Sequence, residues 1–168
     1  MDQPGCILKP RKLIYQTQEG PFVEQTWQFE APEVQWALDY WMGLRGNRQC
    51  PCWSEIDLFS YYKYARLMTI KDAINSGEDF LVRFWGTGIV DVLKYDASGK
   101  KLSEYYPAPY SAEMIEQHRL ALLGDMPIRR WGNSLFPNRE YIKYEIIQLP
   151  LSNDMGERAH VLTLTAFS

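Results

Sequence analysis

The sequence predicts an α+β fold, an antiparallel sheet with helices on one face. Three observations carry that prediction. Two stretches, 32–45 and 111–123, combine helical periodicity with helix-terminal signals. Short apolar runs such as Phe80, Val82 and Phe84 alternate as strands do. The last three strand patterns, Ile128 to Trp131, Glu140 to Leu149 and Arg158 to Phe167, follow one another at hairpin spacing. Turns carrying Asn133, Pro137, Asn138, Asn153, Asp154 and Gly156 separate them. With 168 residues, 46% of them hydrophobic, the chain can bury one core and is short for two domains.

Residues 1–30 mix Pro4, Pro10 and Pro21 with Lys9, Arg11 and Lys12. They then alternate Phe22, Glu24 and Thr26 against Val23, Gln25 and Trp27. This predicts an extended N-terminal arm that carries a strand and docks, ahead of a domain at 31–168. Pro32 suits the first turn of a helix, where its missing N–H costs nothing, and Glu33 complements the positive end of the helix dipole. From there Val34, Leu38, Trp41 and Arg45 form one stripe, flanked by Ala37 and Leu44, with Trp36 and Tyr40 on the opposite side. Those two aromatics suit either a partner interface or the body of the same domain. Gly43 and Gly46 mark the helix end.

The tyrosine-rich stretch Leu58 to Ile74 changes from helix to strand near Leu67. Phe80, Val82 and Phe84 then oppose Leu81, Arg83 and Trp85, so both strand faces want cover and one must satisfy a charge. Thr87 to Leu93 reads as a helical turn or two. Tyr110 and Ile115 fit a hydrophobic staple around an N-cap Ser111, starting a helix that runs to Leu123 and closes at Gly124.

Composition removes several function classes. A net charge of -3 offers no overall attraction to phosphate backbones, so no nucleic acid is expected as a partner. The start Met1-Asp2-Gln3-Pro4-Gly5 is not that of a signal peptide, and no run is long and uncharged enough to cross a bilayer. A cytoplasmic protein without membrane contact is expected. Cys6, Cys50 and Cys52 are too few and too oddly spaced for a disulfide framework and read as reduced thiols.

Four groups of residues, taken in order, resemble a bacterial PAS subfamily of short, mostly single-domain proteins. They are the Leu44-Arg45-Gly46 turn with Arg48, Pro51, Ile56 and Asp57; the strand exit Phe80, Arg83, Gly86 and Thr87; the turn Asp96, Ser98, Gly99 and Leu102; and the hairpin Tyr141, Tyr144, Glu145, Leu149-Pro150-Leu151, Asp154 and Gly156. The match spans roughly residues 36–167. Met155 stands between Asp154 and Gly156, making the hairpin one residue longer than the family pattern. The resemblance implies a five-stranded antiparallel sheet with helices over one face, serving as a sensor and interaction module.

His118 shares the apolar side of its helix with Met114, Ile115 and Leu122, a side that would face the pocket of a PAS fold. A neutral imidazole there suits a haem iron, a small ligand or plain core packing. Trp85, Trp131 and Tyr144 carry large apolar faces with one polar tip, which suits a ligand pocket or a core. Cys50 and Cys52 cannot complete a four-thiolate zinc site. The sequence contains no nucleophile elbow, phosphate loop or dinucleotide fingerprint, and lacks the flavin photosensor signature of PAS relatives. No metal, cofactor or catalytic residue is therefore expected.

Arg83, Gly86, Asp96 and Gly99 read as structural, with Arg83 tying a carboxylate or carbonyls beneath the strand exit. The expected function is a non-enzymatic PAS sensor or regulatory protein. It would bind a small apolar or aromatic ligand and signal through protein contact; the alternative is a ligand-free adaptor. Because the sequence ends at Ser168, directly after its last strand pattern, output is expected through a signalling partner or a homodimer anchored by Trp27, Trp36 and Tyr40.

Overall fold

The computed structural model describes residues 29–168, except 107, 109, 125 and 126, together with the backbone of 13–15 and 23–25. Trp27, named above as an interface anchor, lies outside the described residues. Seven strands form one sheet in the order β2-β1-β5-β6-β7-β3-β4. Five of them make the antiparallel body: β3 (Met68–Ile74), β4 (Asp79–Trp85), β5 (Ile128–Asn133), β6 (Lys143–Ser152) and β7 (Arg158–Phe167). The expected five-stranded antiparallel sheet is therefore present. The arm extends it with β1 (Leu13–Tyr15), which pairs parallel to β5, and β2 (Val23–Gln25), which pairs antiparallel to β1.

Strand alternation sends the centre of the sheet to two different layers. Met68 and Ile70 of β3, Ile147, Leu149 and Leu151 of β6, and Leu162, Leu164 and Ala166 of β7 cluster with Val34, Ala37, Leu38 and Trp41 of α1 (Pro32–Arg45). The indole N–H of Trp41 donates to the carbonyl of Pro150 at 2.8 Å. Pro150 lies two residues beyond Gln148, the last β6 residue paired with β5, so that carbonyl takes a side-chain donor.

The opposite face is covered by α3 (Thr87–Leu93), α4 (Leu102–Tyr105) and α5 (Tyr110–Leu123), through clusters around Phe80, Leu122 and Val161 and around Val82, Trp85 and Ile89. The helices between β4 and β5 thus lie on one face, while the N-terminal helix closes the other. The short α2 (Tyr62–Ala65) precedes β3 where the sequence changes from helical to strand pattern. Helix α5 begins at Tyr110, so Ser111 sits in its first turn rather than at the N-cap.

One strand departs from simple alternation. Ile70 pairs with Phe84 and Lys71 with Val82, leaving Arg83 as an extra residue on β4. This bulge shifts the pleat by one residue. Trp85 consequently joins Phe80 and Val82 on the helix-covered side, whereas Phe84 packs against the α1 cluster. At the strand exit, Gly86 donates its N–H to Met68 O at 2.8 Å, and a Cβ there would collide with the Arg66 carbonyl. Only glycine allows that approach. No helix among the described residues is long and apolar enough to cross a membrane.

Candidate functional site

A cavity of about 80 Å³ lies between the helix-covered face of the sheet and α3–α5. Its floor is the alternate set of strand residues: Thr69 and Lys71 from β3, Arg130 from β5, Ile146 and Gln148 from β6, Thr163 and Thr165 from β7. Its walls include Trp85, Tyr105, Tyr106, Met114, His118 and Phe136. The aromatic wall is self-supporting. Trp85 meets Tyr105 edge-on at 5.7 Å and donates its indole N–H to Tyr95 O at 3.1 Å.

A single chain of hydrogen bonds orders the polar floor. Met114 O accepts from His118 Nδ1 at 2.8 Å, which fixes the tautomer and leaves Nε2 as an acceptor. Gln148 donates its amide N–H to that Nε2 at 3.1 Å and accepts from Arg130 Nε at 3.2 Å. Burial pulls the His118 imidazole well below its usual value, with the nearby Lys71 and Arg130 charges acting in the same direction. Its neutral form is therefore built in.

Lys71 and Arg130 are 4% and 5% exposed, and among the described residues no Asp or Glu lines the cavity. Lys71 donates to Thr69 Oγ1 at 2.6 Å. Burial, reinforced by Arg130, brings the lysine down to about 7. Burial also lowers the Arg130 guanidinium, opposed by Tyr144, Tyr106, Glu113 and Tyr105, but arginine stays charged in proteins. Burial raises Tyr105 well above its usual value and Tyr106 to about 12, so both phenols remain donors. Among the described residues, the buried Tyr105 hydroxyl and Thr163 Oγ1 have no hydrogen-bond partner.

The structure brings His118, Trp85 and Tyr144 together at this cavity and separates two other residues from it. Leu122 falls one turn further along α5, where it packs with Phe80, Ile128 and Val161 in a buried apolar cluster. Trp131 points to the other side of the sheet, because its neighbour Arg130 takes the cavity face. There it lies beneath the Arg129 guanidinium, 4.7 Å from its ring centroid. A haem role for His118 would have to displace Gln148 from Nε2.

Trp36 and Tyr40 are already engaged within their own chain. Trp36 stacks on Tyr64 at 3.7 Å and on Tyr40 at 5.0 Å, and the Tyr40 hydroxyl accepts from Asp57 N at 2.9 Å. The aromatic side of α1 is thus met by α2 and the loop before it. Arg83 does tie a carboxylate, Asp72, at 2.8 Å, but at the surface with 46% of its side chain exposed. The bulge turns it outward, over the Trp53 ring. Asp96 accepts from Ser98 N at 2.8 Å, and Gly99, at φ +76°, donates to Val82 O; both shape the turn that borders β4.

Sequence reasoning missed Lys71, Arg130 and Gln148. A signal was present: Thr69 and Lys71 alternate with Met68 and Ile70, and Gln148 interrupts the apolar run from Ile146 to Leu151.

No family model matches the chain, and no curated protein matches it. Among solved structures, it is similar to a fungal LOV-domain photoreceptor at 14% identity and a TM-score of 0.42, over 60% of this chain and 74% of that one. It is also similar to a sensory box histidine kinase/response regulator from Burkholderia thailandensis E264 at 9% identity and a TM-score of 0.41, over 66% and 84% of the two chains. Neither similarity is close enough to carry a function. The structure itself shows an α+β fold, a five-stranded antiparallel sheet with a helix-covered cavity.

Proposed function

We propose that this chain is a non-enzymatic PAS-like sensor that binds a small molecule between sheet and helices, and that it belongs with the bacterial, mostly single-domain PAS proteins it resembles. One observation supports binding most directly: the cavity floor is polar at the centre of the sheet, where the same strands show that apolar residues would pack well. Non-enzymatic binding is favoured because the acceptor nitrogen of His118 is occupied by Gln148. The wall of Trp85, Tyr105 and Phe136 suits an aromatic or apolar body on the ligand.

Mass spectrometry of material released from the purified full chain, with an absorption spectrum, tests this reading. A small molecule released in stoichiometric amount is the expected result. An empty protein indifferent to added ligands would leave an adaptor that acts by protein contact alone. Output through a homodimer in the cytoplasm completes the reading. It is motivated by Phe59 and Tyr62, which stand exposed around a surface groove with Leu58 and Phe84, and by the free thiols of Cys50 and Cys52. Light scattering at several concentrations checks the dimer, and a monomer throughout would remove it.

A further inference from the structure

We infer that the ligand of this cavity is an anion, a small organic carboxylate held by Lys71 and Arg130 with its apolar part against Trp85 and Phe136. The inference rests on the ligand-binding reading above and goes beyond it by assigning the charge and the residues that read it.

Two basic side chains lie almost wholly out of water on one cavity floor, and among the described residues no carboxylate lines that cavity. Among the described residues neither is in an ion pair, and the Lys71 ammonium makes one hydrogen bond out of three donors. Arg130 uses Nε on Gln148 and Nη1 on the soft Met114 sulfur at 3.8 Å, a weak acceptor for a guanidinium. A cation buried without a counter-charge costs several kcal/mol, so sequences keep one where something offsets it.

Neutral donors surround the pair. The Tyr105 hydroxyl and Thr163 Oγ1 are buried and unpartnered, and both belong to residues lining the same cavity. The groups facing the lysine and arginine are thus Thr69, Gln148, neutral His118 and the phenols of Tyr105, Tyr106 and Tyr144. Glu113, whose charge acts on Arg130, is not among the lining residues and accepts from Gln117. A carboxylate accepts bidentate bonds from guanidinium and ammonium donors, and its charge answers the one the cavity lacks.

Titration calorimetry on the full chain with benzoate against benzamide, and propanoate against propanamide, separates charge from shape. A carboxylate should bind at least roughly tenfold tighter than its amide at about pH 6, where Lys71 is protonated. The preference should shrink towards pH 8.5 in the wild type. It should be reduced to the high-pH level, and no longer vary over that range, in Lys71→Met, a substitution that keeps the volume, removes the buried charge and leaves Arg130 in place. Arg130→Gln should weaken the carboxylate and spare the amide, and Lys71→Met supplies the same readout if Arg130→Gln does not fold. Equal affinity for carboxylate and amide would overturn the anionic assignment and leave the cavity a binding site. Failure of all four probes would overturn the assignment too, and the sensor reading would then stand or fall on whether any molecule is released from the purified protein.

Discussion

The two faces of one sheet are built to different specifications from alternate residues of the same strands. Towards α1, the centre presents Met68, Ile70, Ile147, Leu149, Leu162 and Leu164, and the buried ion pair there, Arg129 with Glu145, is complete. Towards α5, the same strands present Thr69, Lys71, Gln148 and Thr163, with two cations and two hydroxyls left short of partners. The α1 face is apolar across its centre. The other gives up apolar packing there, as the proposed ligand site requires.

Removing a large side chain from the apolar face should have the largest effect. Trp41→Ala should lower unfolding free energy by about 3–5 kcal/mol, since it empties a fully buried site and orphans the Pro150 carbonyl. Urea denaturation measures it, and a loss under roughly 1 kcal/mol would mean that α1 is not the stabilising layer.

On the polar face the sign should reverse. Lys71→Met should stabilise the protein at neutral pH by about 1–3 kcal/mol, because it deletes an uncompensated buried charge. The folded lysine titrates near 7 and the unfolded one near 10.5. Across that interval the unfolded chain binds more protons, so the penalty is full below about 7 and fades as pH rises. The advantage of Lys71→Met should therefore narrow between about pH 7 and pH 9.5, before the tyrosines titrate. A destabilised Lys71→Met would erase the distinction between the faces.

Smaller effects sharpen the same contrast. Thr163→Val should be neutral or stabilising by up to about 1 kcal/mol, since it removes a buried hydroxyl that has no partner. Thermal melting resolves it. Arg83→Ala should cost only about 0–1 kcal/mol, the scale of an exposed ion pair. A cost above roughly 2 kcal/mol would show that Arg83 is structural in the stronger sense its sequence position suggested.

Much of the architecture was legible. Pro32 and Gly46 bracket α1, and Gly86 and Gly156 fall where the backbone needs them. The last three strands follow their alternation, and Thr87 to Leu93 is a short helix. The illegible part has identifiable causes. A bulge at Arg83 reverses the phase of β4, so periodicity alone assigns Phe84 and Trp85 to the wrong faces. For Trp131, the face was fixed by which of two buried arginines, Arg129 or Arg130, meets the cavity, a tertiary fact. Lys71 and Arg130 were passed over because charged residues in strands are ordinarily solvated, and only packing on both faces reveals that these are not.

Arg129 and Arg130 are consecutive, and a strand points consecutive side chains through opposite sides of the sheet. Arg130 reaches the cavity, while Arg129 holds Glu145, the carboxylate that also accepts the N–H groups of Glu30 and Ala31 at the start of α1. Two adjacent side chains therefore join, through a single peptide unit, the floor of the cavity to the two backbone N–H groups that precede α1.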